Sequence, residues 1–153
     1  RLNFDSDVYP NGVPNITVEV EGKKVFDPRT SGTAYSRNPA LCIRDYLTNS
    51  DYGLGAETAE INDTNFTSVA NTCEESVTLD SGTENRFTIN GTFQVSQTPK
   101  LILQNMLSTI GGNLVYSNGL FKLKPAVYST PSVTLDESNL RSPLEINTRV
   151  SKI

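Results

Sequence analysis

The sequence predicts an α+β fold in which short antiparallel strands and hairpins accompany three short helices. Three segments combine a helix-start signal with apolar residues at helical spacing, and several shorter runs alternate apolar and polar residues as half-buried strands do. The elements lack the regular strand–helix–strand order of a parallel sheet, which favours antiparallel pairing. The chain fits one domain, 1–153, or two lobes, 1–80 and 81–153. Because it begins at Arg1 rather than Met, we expect a fragment of a larger protein.

The first pair of strands is predicted around Gly22. Ile16, Val18 and Val20 alternate with polar residues, which is the period of a strand with one solvent-exposed face. Gly22 permits a turn, after which residues 23–26 return as a short partner strand that ends before a proline. Residues 30–37 are polar and predict an irregular connection.

The stretch 38–55, NPALCIRDYLTNSDYGLG, carries the clearest helix signal in the chain. Asn38 is a good N-cap, and Pro39 suits the first helical position because the N–H it lacks would have no helical partner there. Arg44 is predicted to lie away from the apolar face of this helix. That face comprises Pro39, Cys42, Ile43, Tyr46 and Leu47. The helix is predicted to end near residue 49.

Two further helices are predicted. The first spans 63–76, with Asp63 or Thr64 as its cap. Its apolar side chains are Phe66, Val69, Ala70, Cys73 and Val77. The second spans 100–110, begins at Thr98-Pro99 and ends at a pair of glycines.

Between and after these helices the pattern predicts strands. A turn is predicted over 79–83, and residues 86–95 alternate as a strand. Asn118-Gly119 favours a type I′ turn between strands at 114–116 and 120–123. A further strand is predicted at 126–128, a short helical turn at 136–138 and a last strand at 145–150.

Composition excludes several classes of function. The net charge of −4 disfavours specific binding to nucleic acid, and no apolar run approaches the length of a membrane helix, so we expect no membrane span. With no histidine, the chain lacks the commonest general base, and Cys42 and Cys73 alone cannot make a standard zinc site. We interpret both cysteines as small buried hydrophobic residues rather than as a disulfide pair.

Three groups of residues were candidates for chemistry. Gly53 and Gly55 lack the frame of a nucleotide-binding loop and are interpreted as serving loop geometry. Five carboxylates fall close together in sequence and are interpreted as solvated surface rather than as a paired-acid hydrolase site. They are Asp45, Asp51, Glu57, Glu60 and Asp63. Asp136 lacks the frame of a calcium loop and is expected to cap a helical turn. We therefore expect no catalytic residue, no cofactor and no metal.

Six stretches, in order along the chain, resemble the central tail-hub proteins of long-tailed bacteriophages and prophages, the tail-tip attachment (host-specificity) protein J family. The longest are VPNITVEVEGKKVFDPR at 13–29 and SRNPALCIRDYL at 36–47. The others are 52–55, 87–91, 114–123 and 135–140. The resemblance covers most of the chain.

This resemblance implies a non-enzymatic structural protein of the virion tail tip. In such proteins a trimeric hub caps the tail tube and links it to the host-recognition apparatus, and its domains resemble those of contractile-tail baseplate hubs. The implied partners are copies of the same chain in a homotrimer and other tail proteins, such as tail-tube or distal-tail, tape-measure and tip proteins. The implied fold is a hub-type domain.

An alternative function belongs to another class, a carbohydrate- or receptor-binding module of an adhesin. Sugar sites need exposed aromatic platforms. The chain has no tryptophan, and Tyr46 is predicted to lie on the apolar face of its helix.

Overall fold

The computed structural model describes residues 7, 15, 17–131, 133–139 and 141–142. Over this part of the chain the fold is α+β, as the sequence predicts, with three α-helices and three two-stranded antiparallel sheets. The helices are α1 Pro39–Thr48, α2 Asp63–Cys73 and α3 Pro99–Ser108. The strands are β1 Lys24–Asp27, β2 Gly32–Tyr35, β3 Ser76–Leu79, β4 Gly82–Asn85, β5 Asn113–Ser117 and β6 Leu120–Lys124. Two 3-10 turns lie at Thr58–Glu60 and Glu137–Asn139.

The three helices form where the capping signals predict them. The side chain of Asn38 accepts a hydrogen bond from the backbone N–H of Ala40 and begins α1. The cap of α2 is Asn62, one residue before the predicted caps, and its side chain accepts from the N–H of Asn65 at 2.9 Å. Helix α2 ends at Cys73, earlier than predicted, because β3 begins three residues later.

The first predicted hairpin is wrong. Residues 17–23 belong to no strand, and Ile16 lies outside the described residues. Strand β1 instead pairs with β2, from Lys24 opposite Tyr35 to Asp27 opposite Gly32. The partner strand therefore comes from the polar stretch that was predicted to be an irregular connection.

The strand predicted over 86–95 is also wrong. Strand β3 pairs with β4 across a tighter turn than predicted, and the chain then continues without regular structure. Phe87 and Ile89 pack half-buried against the core, and the N–H of Ile89 donates to the backbone oxygen of Arg37 at 2.9 Å. Their alternation reflects an extended chain lying on the core rather than a strand in a ladder.

The hairpin of β5 and β6 is confirmed. Asn118 has φ 54° and Gly119 has φ 74°, the left-handed conformations that a type I′ turn requires. The pairing runs from Ser117 opposite Leu120 to Asn113 opposite Lys124. The helical turn near residue 137 is confirmed, whereas 126–128 forms no strand. The strand predicted at 145–150 lies outside the described residues.

The core lies among the helices and β6. Its fully buried large side chains come from α1 and α2 and from the segments around α3 and β6, including Tyr46, Phe66, Ile110 and Leu123. Arg44, which is predicted to lie away from the apolar face of α1, is nevertheless buried, with only 5% of the residue accessible to solvent. Its guanidinium is paired with Asp63 and lies over the ring of Phe26, so the buried charge has partners.

Candidate functional site

The segment 38–55 lies at the centre of the fold, and its first residue joins two helices. The side-chain nitrogen of Asn38 donates to the backbone oxygen of Ala70 at 2.9 Å and to the carboxylate of Glu74 at 2.8 Å. Its side-chain oxygen accepts from Ala40 at 3.0 Å. One buried amide thus starts α1 and binds the last turn of α2.

The loop that follows α1 folds back onto the end of that helix. The N–H of Leu54 donates to the oxygen of Tyr46 at 3.0 Å, and the N–H of Gly55 donates to the oxygen of Asn49 at 3.0 Å. A Cβ atom at Gly53 would lie 1.9 Å from the oxygen of Tyr46 and 2.8 Å from that of Asn49. This contact accounts for glycine at position 53, because no side chain fits so close to the backbone.

A polar and aromatic cluster covers this loop, and we call it the Tyr52 cluster: Lys23, Asp45, Tyr52 and Phe93. The hydroxyl of Tyr52 donates to Asp45 and accepts from Lys23, whose ammonium lies 3.8 Å from the carboxylate of Asp45. The ring of Phe93 packs 6.1 Å from that of Tyr52 and edge-on to that of Tyr46. The cluster holds the loop and the chain before β1 against α1.

Two titratable groups at this cluster, Tyr52 and Cys42, are held in their protonated forms. Burial and the hydrogen bond to Asp45 raise the pKa of Tyr52 well above its usual value. Burial, with a smaller effect from Asp45, raises the pKa of Cys42 to about 11. At neutral pH both side chains keep their protons, so neither supplies the anion that a nucleophile or general base needs.

The five candidate carboxylates lie on different elements and make structural contacts. Asp63 accepts two hydrogen bonds from Arg44, at 2.7 and 3.0 Å. Glu60 accepts from the N–H of Glu57 at 3.0 Å, completing a capping box, and from the hydroxyl of Tyr116 at 3.2 Å. The charges of Asp45 and Asp51 both contribute to raising the pKa of Tyr52.

Asp136 and the two cysteines also have structural environments. The carboxylate of Asp136 accepts from the N–H of Ser138 at 2.9 Å, the bond expected of a cap. Cys73 is buried and Cys42 half-buried, and both are free thiols. Among the described residues, no three His, Cys, Asp or Glu side chains converge into a potential metal site.

A groove that the sequence reasoning missed lies between α2 and the β5–β6 hairpin, with a volume of about 460 Å³. Its lining includes Val69, Val115, Lys122, Lys124 and Tyr128. A signal for part of it was present, because the register that Asn-Gly turns impose puts Val115, Lys122 and Lys124 on one face of the hairpin. The approach of Tyr128 had no such signal.

Large apolar side chains are exposed in two segments flanking the folded elements. In residues 17–21, the N-terminal arm, Val18 is 73% and Val20 71% exposed. In the segment after β6, Tyr128 is 87% exposed, and Val133 and Leu135 are also exposed. Single exposed apolar residues are ordinary, whereas several together in extended segments are candidates for contact with another molecule.

Comparison of the chain with protein-family models and with curated protein sequences gives no match. Within the described residues, no helix combines the length and apolar character needed to cross a membrane.

Proposed function

We propose that this chain is a structural module of a phage tail-tip hub, which acts without catalysis by assembling into a homotrimer and docking to other tail proteins. The observation that carries the proposal is the exposure of apolar side chains in the N-terminal arm and in the segment after β6. The six stretches that resemble tail-hub proteins, in the same order along the sequence, support assigning this exposed surface to assembly of a tail hub.

The exposed side chains are sufficient in number to contribute to assembly. Fully burying Val18, Val20, Tyr128, Val133 and Leu135 would contribute on the order of 10 kcal/mol per copy, at ~1.5–3 kcal/mol each. Association costs ~4–15 kcal/mol in lost translational and rotational freedom. The two values are of similar size, so these residues favour assembly when several copies or partners cover them together.

The chemistry of the central segment agrees with a scaffolding role. The raised pKa values of Tyr52 and Cys42 keep both groups protonated, and the hydrogen bonds of Asp45 and Asp63 fix elements of the fold. The net charge of −4 also suits a hub through which DNA passes without binding.

The proposal is tested on phage particles induced from the strain that encodes the chain. Antibodies raised against the chain should label the tail tip in electron micrographs, and the mass of the released hub should correspond to three copies. Labelling of the capsid, absence of the chain from purified particles, or a single copy per hub would overturn the proposal.

A second candidate, a carbohydrate-binding module, is favoured by one observation. Tyr128 exposes most of its ring beside a groove that also presents Lys122 and the polar flank of α2, and an exposed aromatic ring beside polar groups is the platform on which sugars stack. Titration with oligosaccharides from the host surface distinguishes the two functions. A sugar site requires saturable binding that Tyr128→Ala abolishes and Tyr35→Ala, on β2, leaves unchanged.

A further inference from the structure

Among the described residues, nothing pairs with the outer edge of strand β5. The outer backbone groups of β6 are satisfied, because the oxygen of Phe121 accepts from Asn62 and the N–H of Leu123 donates to the side chain of Asn65. Their partners across the ladder are Tyr116 and Leu114. Each of these two residue pairs is therefore a non-hydrogen-bonded pair of the antiparallel ladder. In such a pair, both residues direct their N–H and C=O groups away from the partner strand.

Leu114 and Tyr116 therefore present two N–H and two C=O groups on the outer side of β5. Within the described residues, β5 pairs with β6 alone, and no backbone hydrogen bond reaches these groups from any other element. The adjoining surface is accessible, since Val115 is 46% and Tyr116 55% exposed. Such an edge is a template for a further strand.

The N-terminal arm has the complementary form. Its sequence, TVEVE, alternates two valines with two glutamates, the period of a strand with one apolar face. Every side chain of the arm is exposed, and in the described part of the chain the arm pairs with no strand. By its sequence the arm is a strand, and it has no partner strand among the residues that the structure describes.

The two faces of the arm match the two faces of the hairpin. Leu114 and Tyr116 lie on one face of the hairpin, which we call the inner face. If the arm pairs with β5 so that Val18 and Val20 lie on this face, the two valines lie beside Leu114 and Tyr116. Glu19 and Glu21 then fall on the outer face, which carries Lys122 and Lys124. The glutamates on the arm and the lysines on β6 are then two strand spacings apart, about 9.6 Å. Extended glutamate and lysine side chains together span this distance. The pairing thus provides hydrogen-bond partners for the edge of β5, covers the exposed valines and brings opposite charges together.

We propose that the arm of one copy adds to β5 of a second copy as a third strand. This inference rests on the proposed homotrimer and specifies its contact. Because donor and acceptor are different surfaces, the contact is heterologous and closes into a ring when the rotation between copies permits. A ring of three copies pairs every arm with a β5 edge.

The experiment mixes two cysteine variants of the chain under mild oxidation. One copy carries Glu19→Cys or Glu21→Cys, so that either register is sampled, and the other carries Val115→Cys on the outer face of β5. We expect a covalent dimer on a non-reducing gel with one of the two mixtures. The matched control combines Glu84→Cys, an equivalent substitution on β4, with Val115→Cys and should give no dimer above background, because a disulfide needs Cα atoms within about 7 Å.

A chain that carries both cysteines distinguishes an arm bound to β5 of another copy from an arm bound to β5 of its own copy. We expect it to form linked trimers, whereas a cross-link confined to monomers would overturn the proposal. A second measurement needs no substitution. The amide protons of Leu114 and Tyr116 should become protected from exchange as the concentration of the unmodified chain rises, and unchanged exchange in a self-associated sample would also overturn it.

Charge reversal tests the match of the outer faces. Lys122→Glu with Lys124→Glu should weaken self-association by roughly tenfold, since two attractive glutamate–lysine contacts across β5 become repulsive. Adding Glu19→Lys and Glu21→Lys should restore it, and failure to restore it would contradict the proposed pairing. A trimer that forms without the cross-link refutes the strand exchange but leaves the tail-hub proposal standing, whereas a single copy at the tail tip refutes the hub trimer itself.

Discussion

Replacement of Arg44 by alanine tests whether a buried cation stabilises this fold. The guanidinium binds both oxygens of Asp63, at 2.7 and 3.0 Å, and lies 5.1 Å from the centre of the Phe26 ring. Only 5% of Arg44 is exposed, whereas the side chain of Asp63 is 41% exposed. The loss should therefore fall below the ~3–5 kcal/mol of a fully buried pair, because water can take over the carboxylate.

We expect Arg44→Ala to lower the free energy of unfolding by about 2–3 kcal/mol, in the upper part of the ~1.5–3 kcal/mol range for hydrogen bonds to charged groups. For a chain of this size, that change lowers Tm by roughly 5–10 °C. Arg86→Ala is the matched control, since Arg86 pairs with Glu75 at 2.9 Å with both side chains well exposed. The control should cost less than about 1 kcal/mol.

The assay is urea unfolding monitored by circular dichroism, with thermal melting as a second measure. A double-mutant cycle with Asp63→Asn isolates the pairwise contribution from the packing of the arginine stem. Equal losses for Arg44→Ala and Arg86→Ala, or a coupling energy near zero in the cycle, would refute the assignment of Arg44 as a buried structural cation.

Three further predictions concern the loop, a thiol and the acid response. Gly53→Ala should destabilise the fold by more than about 2 kcal/mol, since the new Cβ meets two backbone oxygens, whereas Gly22→Ala meets nothing within 4 Å and should be near neutral in the same urea titration. With a pKa of about 11, Cys42 has about one thiol in a thousand ionised at pH 8. Its labelling by iodoacetamide, followed by mass spectrometry, should therefore be slow until the chain unfolds. Rapid labelling of the native chain would contradict the burial of this thiol. The hydrogen bond from Arg29 holds the pKa of Glu74 below its usual 4.5. The ionised Glu74 therefore stabilises the fold above pH 4.5, and this contribution is lost as the pH falls further. Arg29→Gln should make stability decline less steeply in acid, as measured by urea unfolding at several pH values.

The sequence predicted the helices well because their starts are encoded locally. Asn38 followed by Pro39 specifies both a capping side chain and a fixed backbone angle, and neither depends on distant residues. The Asn118-Gly119 turn is local in the same sense, since its positive φ angles select the hairpin and its register.

Pairing between distant or polar segments was less predictable. The partner of β1 is a short polar strand without alternation, chosen by the turn at 28–31 rather than by its own side chains. Residues 87 and 89 alternate like a strand, yet their extended backbone lies on the core without a neighbouring ladder. The burial of Arg44 depends on Asp63, nineteen positions away, which helical periodicity cannot reveal.

The surfaces of the candidate site were not predictable from the sequence. The absence of histidine from the sequence argues against the commonest catalytic arrangements but carries no information about surfaces. The groove beside α2 and the open edge of β5 arise from tertiary packing, so no single stretch of sequence encodes either of them.

The triple role of Asn38 has a consequence for how the protein opens. Its side chain is shared between the first turn of α1 and the last turn of α2, and the carboxylate that it contacts on Glu74 is also bound by Arg29. Unwinding either helix terminus would leave one end of this buried amide without a hydrogen-bond partner, a cost that opposes local fraying. The two helices should therefore open as one cooperative unit, which gives the molecule a stiff centre around which its exposed segments can rearrange.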